Sequence, residues 1–396
     1  MRMTMPGALH CPMHEPPSRI AIVTGTRAEF GLLYPVMAAV EAHPSLELLV
    51  IAAGAHLIPP AETFRDVKKA FPVADSVPMQ KPGPASRLDD AEALGRGVSR
   101  FARSFAGHRP DWVVVLGDRI EAFAAASAAS IGGIALAHIH GGDRAEGIAD
   151  EAMRHAMTKL AHLHLAATEQ SGERIRRMGE LPERVFVVGS PAVDDLAGFG
   201  PMEDDQWAEL GSPAAVMLLH PIGRHTEDEE AAATAVIEGA MSALEGRSRV
   251  LCLAPNTDPG RDGVSRAIDS AAEHGGVMQA GHLPRERFIG LLRRLGATGG
   301  VLVGNSSAGL IEAAVLGVPT VNVGPRQAGR ERAGNVVDVL RENPEAVSEA
   351  IRQARGLDLA GLVHPYGEGE AGRRIAEVLA AVDPHGSGVL RKHCAY

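Results

Sequence analysis

The chain has 396 residues, of which 45% are hydrophobic and 22% charged, and its formal net charge is −10. This length suits two domains of about 100–200 residues each, and the composition excludes a disordered chain. Because binding to a phosphate backbone needs a concentrated basic face, the acidic balance disfavours nucleic acid as the partner. A small anionic ligand is still possible, since a few arginines in one cleft suffice.

The three cysteines, Cys11, Cys252 and Cys394, lack the close spacing of a zinc site or a disulfide framework. We therefore expect a cytoplasmic protein with no metal and no other cofactor. No segment approaches the roughly 18 consecutive apolar residues of a membrane span, so a membrane is not an expected partner. Residues 1–18 lack the apolar core and cleavage site of a signal peptide, and we predict a disordered lead-in there.

In the first half, short apolar runs alternate with longer amphipathic segments. Strands are predicted at 19–25, 46–53, 112–117, 134–138, 164–167 and 185–188, and helices at 31–43, 89–108, 120–131 and 149–161. Nearly continuous apolar strands between helices indicate a parallel sheet covered on both faces.

Around 196–212 glycine, proline and acidic residues interrupt this alternation, and a second set of elements comes after the break. Its strands are predicted at 215–219, 250–254, 300–303 and 320–323, and its helices at 227–245, 263–274, 284–295 and 308–316. We therefore predict an α/β fold of two doubly wound domains, 19–198 and 199–369, with a helix at about 370–383 packing back on the first. The ligand should lie in the cleft, at the carboxyl ends of strands from both domains.

Three motifs of the first half, GTRAEFG, LGDR and HIHGGD, follow predicted strands. GTRAEFG places Arg27 at a glycine turn that could bind an anion, or that only joins a strand to a helix. It is not the GxGxxG fingerprint of a nicotinamide enzyme. In LGDR, Asp118 is a candidate acid/base or a helix N-cap, and Arg119 could pair with it.

In HIHGGD, His138 and His140 would share one face of a strand, and Asp143 could be a third metal ligand. A metal-dependent hydrolase is therefore one hypothesis, while a packed histidine is the plain alternative for His138. Asp150 and Glu151 open the next helix, where acidic residues commonly act as caps. The glycine-rich loop could instead bring them towards His140, as carboxylates that move a proton between carbon and base.

In the second half, His220 ends a predicted strand at the cleft. GNSSAGLIE places Ser306 and Ser307 before a predicted helix whose N-terminus would suit a diphosphate. Glu312 could accept both hydroxyls of a ribose, or be an exposed glutamate of a capped helix. GPRQAGRER adds three arginines, among them Arg326, as a phosphate clamp or a solvated loop.

Six segments, in this order, resemble the UDP-N-acetylglucosamine 2-epimerase family, particularly its hydrolysing branch in sialic- and legionaminic-acid pathways. They are GTRAEFGLL, LGDRIEA, HIHGGDRAEGIADEAMRHAMTKLAHLH, VGSPAVD, GNSSAGLIEAAVLGVPTVNVGPRQAGR and HPYGEGEAGRRI, between about residues 20 and 381. Many relatives have Glu where this chain has His140.

The resemblance implies a GT-B-type fold of two Rossmann-like domains and a UDP-sugar in the cleft between them. It implies catalytic residues at Asp118, His140, Asp150, Glu151 and His220. UDP-contacting residues are implied at Arg27, Arg119, His220, His282, Ser306, Ser307, Glu312 and Arg326. A homo-oligomer, in the family often a dimer, is also implied.

The implied chemistry is loss of UDP from C1 with loss of the C2 proton, followed by addition of water across the resulting double bond. Protonation of C2 from the other face then gives the free 2-epimer, such as N-acetylmannosamine. Three alternatives stay open beside the metal-dependent hydrolase. They are a non-hydrolysing 2-epimerase, a GT-B glycosyltransferase, and a regulator that binds a nucleotide sugar without turning it over.

Overall fold

The computed structural model describes residues 16–59, 62–83, 87–145, 150–244, 249–256, 258–386 and 388–395. Residues 1–15 of the predicted lead-in, Cys11 among them, lie outside the described residues. The side chain of Asp150 lies outside them too. Among the residues described, no helix combines the length and the apolarity that crossing a bilayer requires.

The N-terminal half contains a parallel sheet of seven strands, in the order β3-β2-β1-β4-β5-β6-β7. The strands are β1 (Ser18–Thr24), β2 (Leu46–Ala53), β3 (Val73–Val77), β4 (Trp112–Leu116), β5 (Ala135–Ile139), β6 (Leu163–Ala166) and β7 (Val185–Val187). The helices are α1 (Arg27–Ala42), α2 (Phe64–Ala70), α3 (Arg87–His108), α4 (Ile120–Ile131), α5 (Asp150–Leu160) and α6 (Glu169–Arg177).

The C-terminal half repeats this arrangement with six parallel strands, in the order β10-β9-β8-β11-β12-β13. They are β8 (Ala215–Leu218), β9 (Val250–Leu253), β10 (Val277–Ala280), β11 (Val301–Gly304), β12 (Thr320–Val323) and β13 (Val336–Val339). The helices are α7 (Asp204–Glu209), α8 (Thr226–Ala243), α9 (Arg261–Glu273), α10 (Arg285–Ala297), α11 (Glu312–Val315), α12 (Pro344–Arg355) and α13 (Ala371–Ala381).

The central strands form because their side chains are buried on both faces of each sheet. Every residue of β4 is buried, and Val113, Val114 and Val115 have no exposed surface. Burying one such side chain stabilises the fold by roughly 1.5–3 kcal/mol relative to leaving it exposed. The predicted α/β fold with two parallel sheets is confirmed.

In both sheets the strand order reverses next to the first strand, between β1 and β4 and between β8 and β11. Ligands of open α/β sheets bind at such switch points, outside the carboxyl ends of the strands. The residues directly after these four strands, with their neighbours, therefore line the cleft: Gly25, Gly117, Leu219 and Asn305.

Helix α13 lies against α1, and its Ile375 and Leu379 belong to the same buried cluster as Ile20 of the N-terminal sheet. The carboxylate of Asp194 accepts hydrogen bonds from the backbone N–H groups of Ala371 (2.9 Å) and Gly372 (2.6 Å), and so satisfies the N-terminus of α13. The chain thus returns from the second sheet to the first.

The predicted helix at 308–316 is wrong in its extent. Ser307–Gly309 form a 3₁₀ turn and only Glu312–Val315 form an α-helix. A four-residue helix has a weak dipole, so the predicted attraction of a helix N-terminus for a diphosphate is smaller than expected. Conversely, α1 begins at Arg27 and not at residue 31, because Thr26 caps it by accepting a hydrogen bond from Glu29 N–H.

Candidate active site

Asp118 and His140, which follow β4 and β5, are tied together by Arg154 of α5. The Arg154 guanidinium is buried, ion-pairs with the Asp118 carboxylate, and donates to the His140 carbonyl oxygen at 3.1 Å. We call Asp118, His140 and Arg154 the N-terminal cluster. The predicted partner of Asp118, Arg119, pairs with Asp258 instead. Asp118 is not the N-cap of α4, because Arg119 holds that position.

His140 is held on both ring nitrogens. Its Nε2 lies 3.0 Å from Ser190 Oγ, and its Nδ1 lies 3.5 Å from the Asp143 carboxylate. Burial lowers the pKa of His140 to about 4 although the Asp143 carboxylate opposes the shift, so the imidazole is neutral near pH 7. A neutral imidazole can accept a proton.

His138 and His140 do not present a joint face, because β5 ends at Ile139 and His140 turns into the left-handed region with φ 62°. His138 Nε2 donates to the Gly117 carbonyl oxygen at 2.8 Å, and its Nδ1 lies 3.2 Å from Thr158 Oγ1. With both nitrogens engaged, His138 packs the sheet and is not placed as a metal ligand. Among the described residues no group of three or more His, Cys, Asp or Glu side chains could hold a metal ion.

Glu151 is engaged locally. Its carboxylate accepts from Ala145 N–H at 2.6 Å and lies 3.1 Å from His155 Nε2. Burial opposes ionisation, but the hydrogen bonds from His155 and Ala145 hold the pKa of Glu151 below its ordinary value. One carboxylate oxygen thus holds the start of α5 to the preceding loop, and the other contacts His155 one turn further along the same helix, so Glu151 has a different task from Asp118.

In the C-terminal half, His220 is fixed by the backbone of Asn256 and the side chain of Asn305. Asn256 N–H donates to His220 Nδ1 at 3.1 Å, while the Asn305 side chain accepts from His220 N–H and donates to its carbonyl oxygen, each at 2.8 Å. Arg326 donates to the Asn305 carbonyl oxygen at 3.2 Å. We call His220, Asn305 and Arg326 the C-terminal cluster.

Burial, aided by the charge of Arg326, lowers the pKa of His220 to about 3. The ring is therefore neutral near pH 7. Because Nδ1 accepts a hydrogen bond from Asn256, the single ring proton lies on Nε2. His220 is thus a neutral hydrogen-bond donor, which suits an oxygen that gains negative charge.

Arg27 is the first residue of α1, and its charge contributes, after burial, to lowering the pKa of His282. Arg27 and His282 are predicted UDP-contacting residues from different halves, and they lie close enough for the charge of one to affect the other. Beneath Arg27, the Glu29 carboxylate accepts from Gly25 N–H at 2.6 Å, and burial raises its pKa to about 8.

Ser306 and Glu312 flank the turn after β11. The Ser306 hydroxyl accepts from Ala308 N–H at 3.4 Å, and Ser307 begins the 3₁₀ turn. Glu312 is buried, not exposed; burial raises its pKa, while the charges of Arg285 and Arg330 oppose the shift. A buried carboxylate needs hydrogen-bond donors, and ribose hydroxyls would supply them.

Side-chain contacts join the two halves. Arg119 donates to the Asp258 carboxylate at 2.8 Å, Arg330 lies 3.8 Å from Asp143, and the Thr168 hydroxyl donates to Glu331. Of the three arginines in GPRQAGRER, Arg326 alone belongs to the C-terminal cluster, since Arg330 faces Asp143 and Arg332 pairs with Asp338.

Sequence reasoning missed Arg154, Ser190 and Arg285. Arg154 contacts Asp118 and His140, which lie in other segments of the chain, so its position on the helix gave no signal for these contacts. Ser190 caps a short turn, and Arg285 donates across the cleft to the Ala192 carbonyl oxygen at 2.7 Å. Nothing in the local sequence reveals the contact of Ser190 with His140 or that of Arg285 with Ala192.

Comparison with known proteins agrees with this geometry. The family described as UDP-N-acetylglucosamine 2-epimerase matches residues 38–380. The UDP-N,N'-diacetylbacillosamine 2-epimerase (hydrolyzing) of Legionella pneumophila is 33% identical over 96% of this chain and 99% of its own length. The UDP-N-acetylglucosamine 2-epimerase of Neisseria meningitidis is 30% identical over 86% of this chain and 88% of its own length.

The fold also matches a solved structure, the UDP-GlcNAc 2-epimerase of Methanocaldococcus jannaschii in complex with UDP-GlcNAc and UDP. The TM-score is 0.77 at 20% identity, covering 91% of this chain and 99% of that one. The predicted GT-B-type architecture is therefore confirmed. This chain belongs to the UDP-N-acetylglucosamine 2-epimerase family.

Proposed function

We propose that the protein is a hydrolysing 2-epimerase, which converts a UDP-linked 2-acetamido sugar and water into UDP and the free 2-epimer. The near full-length match to a relative named as a hydrolysing 2-epimerase is the observation that carries this proposal. UDP-N-acetylglucosamine and UDP-N,N'-diacetylbacillosamine are the two substrates to compare, because they are named for two relatives that are 30% and 33% identical to this chain.

The nucleotide is assigned to the C-terminal half. In this proposal buried Glu312 accepts hydrogen bonds from the ribose hydroxyls. Ser306, Ser307 and the C-terminal cluster surround the diphosphate, and Arg27, Arg119 and His282 reach it from the cleft's other parts. His220 supports this assignment, because the hydrogen bond from Asn256 N–H to its Nδ1 leaves the neutral ring with its proton on Nε2, ready to donate to a leaving phosphate oxygen.

Stabilising the departing diphosphate matters most, because a C2–H beside an acetamide is a very weak acid. Only when the C1–O bond breaks ahead of it does C2 become acidic enough for a side-chain base. We assign the proton transfers at C2 and the activation of water to Asp118, His140 and Asp150. Asp118 and His140 are joined by Arg154, which supports a common task.

The direct test is product identification. The purified protein is incubated with each UDP-sugar in the presence of a chelator, and products are separated by anion exchange. Equal amounts of UDP and the free 2-epimer support the proposal. A UDP-linked 2-epimer at equilibrium with substrate would instead make the protein a non-hydrolysing epimerase, and UDP binding without any product would favour a regulator.

We further propose a homodimer in the cytoplasm. The family resemblance supports the dimer, and Cys252 and Cys394, which are free thiols, suit a reducing compartment. Light scattering coupled to size exclusion at micromolar concentration tests the dimer, and a monomer mass would reject it.

A further inference from the structure

The chain after α13 returns to the N-terminal half and lies against the end of α5. We call residues 388–395 the strap. Val389 of the strap belongs to the same buried cluster as Ile20 of the N-terminal sheet, and Ala395 N–H donates to the Gly179 carbonyl oxygen at 2.9 Å. The strap is thus anchored near both of its ends. It also lies beyond residue 380, where the match to the family ends.

Lys392 of the strap covers the C-terminal end of α5. Its ammonium donates to the Thr158 carbonyl oxygen at 3.0 Å and to the carbonyl oxygen of Ala161, directly after the helix. The last four carbonyl groups of a helix have no partner within it, and a cation there also interacts favourably with the helix dipole. Lys392 therefore satisfies carbonyl groups that α5 by itself leaves unpaired.

Glu180 holds the Lys392 ammonium in place. The Glu180 side chain is 4% exposed, and its carboxylate lies 2.8 Å from Lys392 Nζ, 2.6 Å from Lys159 Nζ and 3.0 Å from His164 Nε2. Burial opposes ionisation of Glu180, but hydrogen bonds from His164, Lys159 and Lys392 lower its pKa to about 2. The group is therefore a carboxylate near pH 7, and a buried carboxylate needs its cations.

A short path leads from Lys392 to the N-terminal cluster. Thr158, whose carbonyl oxygen Lys392 contacts, is fully buried, and its Oγ1 lies 3.1 Å from the Arg154 carbonyl oxygen, one turn earlier. Arg154 in turn ion-pairs with Asp118 and donates to the His140 carbonyl oxygen. Because one turn of an α-helix rises only about 5.4 Å, a displacement of the last turn of α5 reaches the backbone that carries Arg154.

The geometry of α5 depends on what holds its two ends. The helix has 11 residues, and isolated helices shorter than about 12–15 residues are marginal in water. Its start is held by the hydrogen bond from Ala145 N–H to the Glu151 carboxylate, and its end by Lys392. Arg154 lies between these two points. The strap is therefore one of the two supports of the segment that carries Arg154.

We propose that Lys392 is a positioning residue for the reaction: by holding the end of α5, it keeps Arg154 and its two partners in the N-terminal cluster in place. The proposal rests on the proposed function, which assigns proton transfer to Asp118 and His140. No contact of Lys392 with the substrate is part of this role. A misplacement of about 1 Å, caused by a change far from the reacting atoms, can lower a rate about 100-fold.

The test compares Lys392→Met, Lys392→Gln and Lys392→Arg. Methionine removes the charge and every donor, glutamine keeps a neutral donor, and arginine keeps both the charge and the donors. We expect kcat to fall about 10–100-fold in Lys392→Met and less in Lys392→Gln, with Lys392→Arg within about threefold of wild type. KM and the Kd for UDP should stay within about twofold, because the nucleotide is assigned to the C-terminal half.

Two controls separate positioning from stability. Arg391→Met removes a neighbouring charge of the strap whose side chain is exposed. Lys159→Met removes an ion pair with the same Glu180 carboxylate but leaves the contacts of Lys392 with the carbonyl groups of α5 in place. Both Lys159→Met and Lys392→Met should lower Tm, whereas of these two only Lys392→Met should lower kcat by more than about threefold.

A second readout does not depend on turnover. In NMR of protein labelled at its arginine side chains, with Arg154→Lys for assignment, the Arg154 guanidinium signal should shift in Lys392→Met. It should stay unchanged in Lys159→Met and in Arg391→Met. Should Lys392→Met not fold, the comparison of Lys392→Gln with Lys392→Arg decides by the same criteria.

Several results would overturn the positioning role and leave the proposed function intact. They are an unchanged Arg154 signal, a kcat in Lys392→Met equal to that of Lys159→Met, and a kcat in Lys392→Arg as low as that of Lys392→Met. Equal losses of kcat and of UDP affinity would overturn it too, because they indicate a general disruption of the fold. A wild type that turns over neither UDP-sugar overturns the proposed function, and with it the role of Lys392 in that reaction, even if the Arg154 signal shifts.

Discussion

The two halves of the cleft hold their polar side chains in different ways. In the N-terminal cluster, side chains hold side chains: Asp118 pairs with Arg154, and His140 contacts Asp143 and Ser190. In the C-terminal cluster the titratable ring is held by a backbone group instead, because Asn256 N–H donates to His220 Nδ1.

This difference separates two chemical tasks. A group that gains and loses protons needs neighbouring charges that stabilise both of its states. A donor that must keep one protonation state is better fixed by backbone amides, which do not titrate in this range. The N-terminal half therefore suits proton transfer and the C-terminal half suits charge stabilisation. A substitution in one half should impair one task and spare the other.

Asp118→Asn should have the largest effect. The amide keeps the shape but cannot accept a proton, so we expect kcat to fall about 10²–10⁴-fold. UDP affinity by calorimetry should stay within about twofold, because the nucleotide is assigned to the other half. A comparable loss of UDP affinity would show that the two tasks are not separated.

Glu312→Gln should impair UDP binding and leave turnover nearly unchanged. Losing hydrogen bonds to a charged acceptor, about 1.5–3 kcal/mol, should weaken UDP binding roughly tenfold to a hundredfold, with kcat at saturating substrate little changed. The matched control is the 2',3'-dideoxy analogue of UDP. Wild type and variant should bind it equally, and an unchanged Kd for UDP itself would remove Glu312 from the ribose site.

Glu29→Gln should change the pH dependence of stability. Burial raises the pKa of Glu29 to about 8, so between pH 4.5 and 8 the folded state binds more protons than the unfolded state. The contribution is fully present below pH 4.5 and is lost as pH rises through 8. Wild-type Tm should therefore fall more steeply across this window than that of Glu29→Gln, and parallel curves would contradict the assignment.

Asp258→Asn should have the smallest effect. Its ion pair with Arg119 crosses the cleft, and both side chains are partly exposed, so about 0.2–1 kcal/mol is expected. KM should change by no more than a few-fold. The variant Asp204→Asn, which breaks the exposed pair with Arg294 outside the cleft, is the control and should leave KM unchanged. Equal KM values in both variants would remove the Arg119–Asp258 pair from substrate binding.

The sequence predicts the central strands well because they are buried on both faces, as WVVVL in β4 shows. It misses β3, whose VADSV is half-exposed at a sheet edge and lacks a continuous apolar run. The early start of α1 was predictable, since Thr26 and Glu29 have the spacing of a capping box. The start of α12 was predictable too, because Asn343 caps the helix and Pro344 is its first residue.

The site was predictable only in part. Motifs after strands identify Asp118, His140 and His220, because strand ends of a parallel sheet meet in one place. Which side chains then touch depends on the paths of distant segments. The ion pair of Asp118 with Arg154, and the contact of His140 with Ser190, fifty residues away in sequence, result from those paths. Gly141 and Gly142 mark a turn in this segment, but the sequence does not show that His140 itself adopts the left-handed conformation.

The most direct test of the central claim is proton NMR of the wild-type reaction in D₂O, with the better of the two UDP-sugars as substrate. If the N-terminal half removes the C2 proton and hydration returns another from solvent, the free 2-epimer will carry deuterium at C2 and appear together with UDP. A free 2-epimer with protium at C2 would contradict exchange with solvent through these side chains, and with it the division of the cleft into a proton-transfer half and a charge-stabilising half.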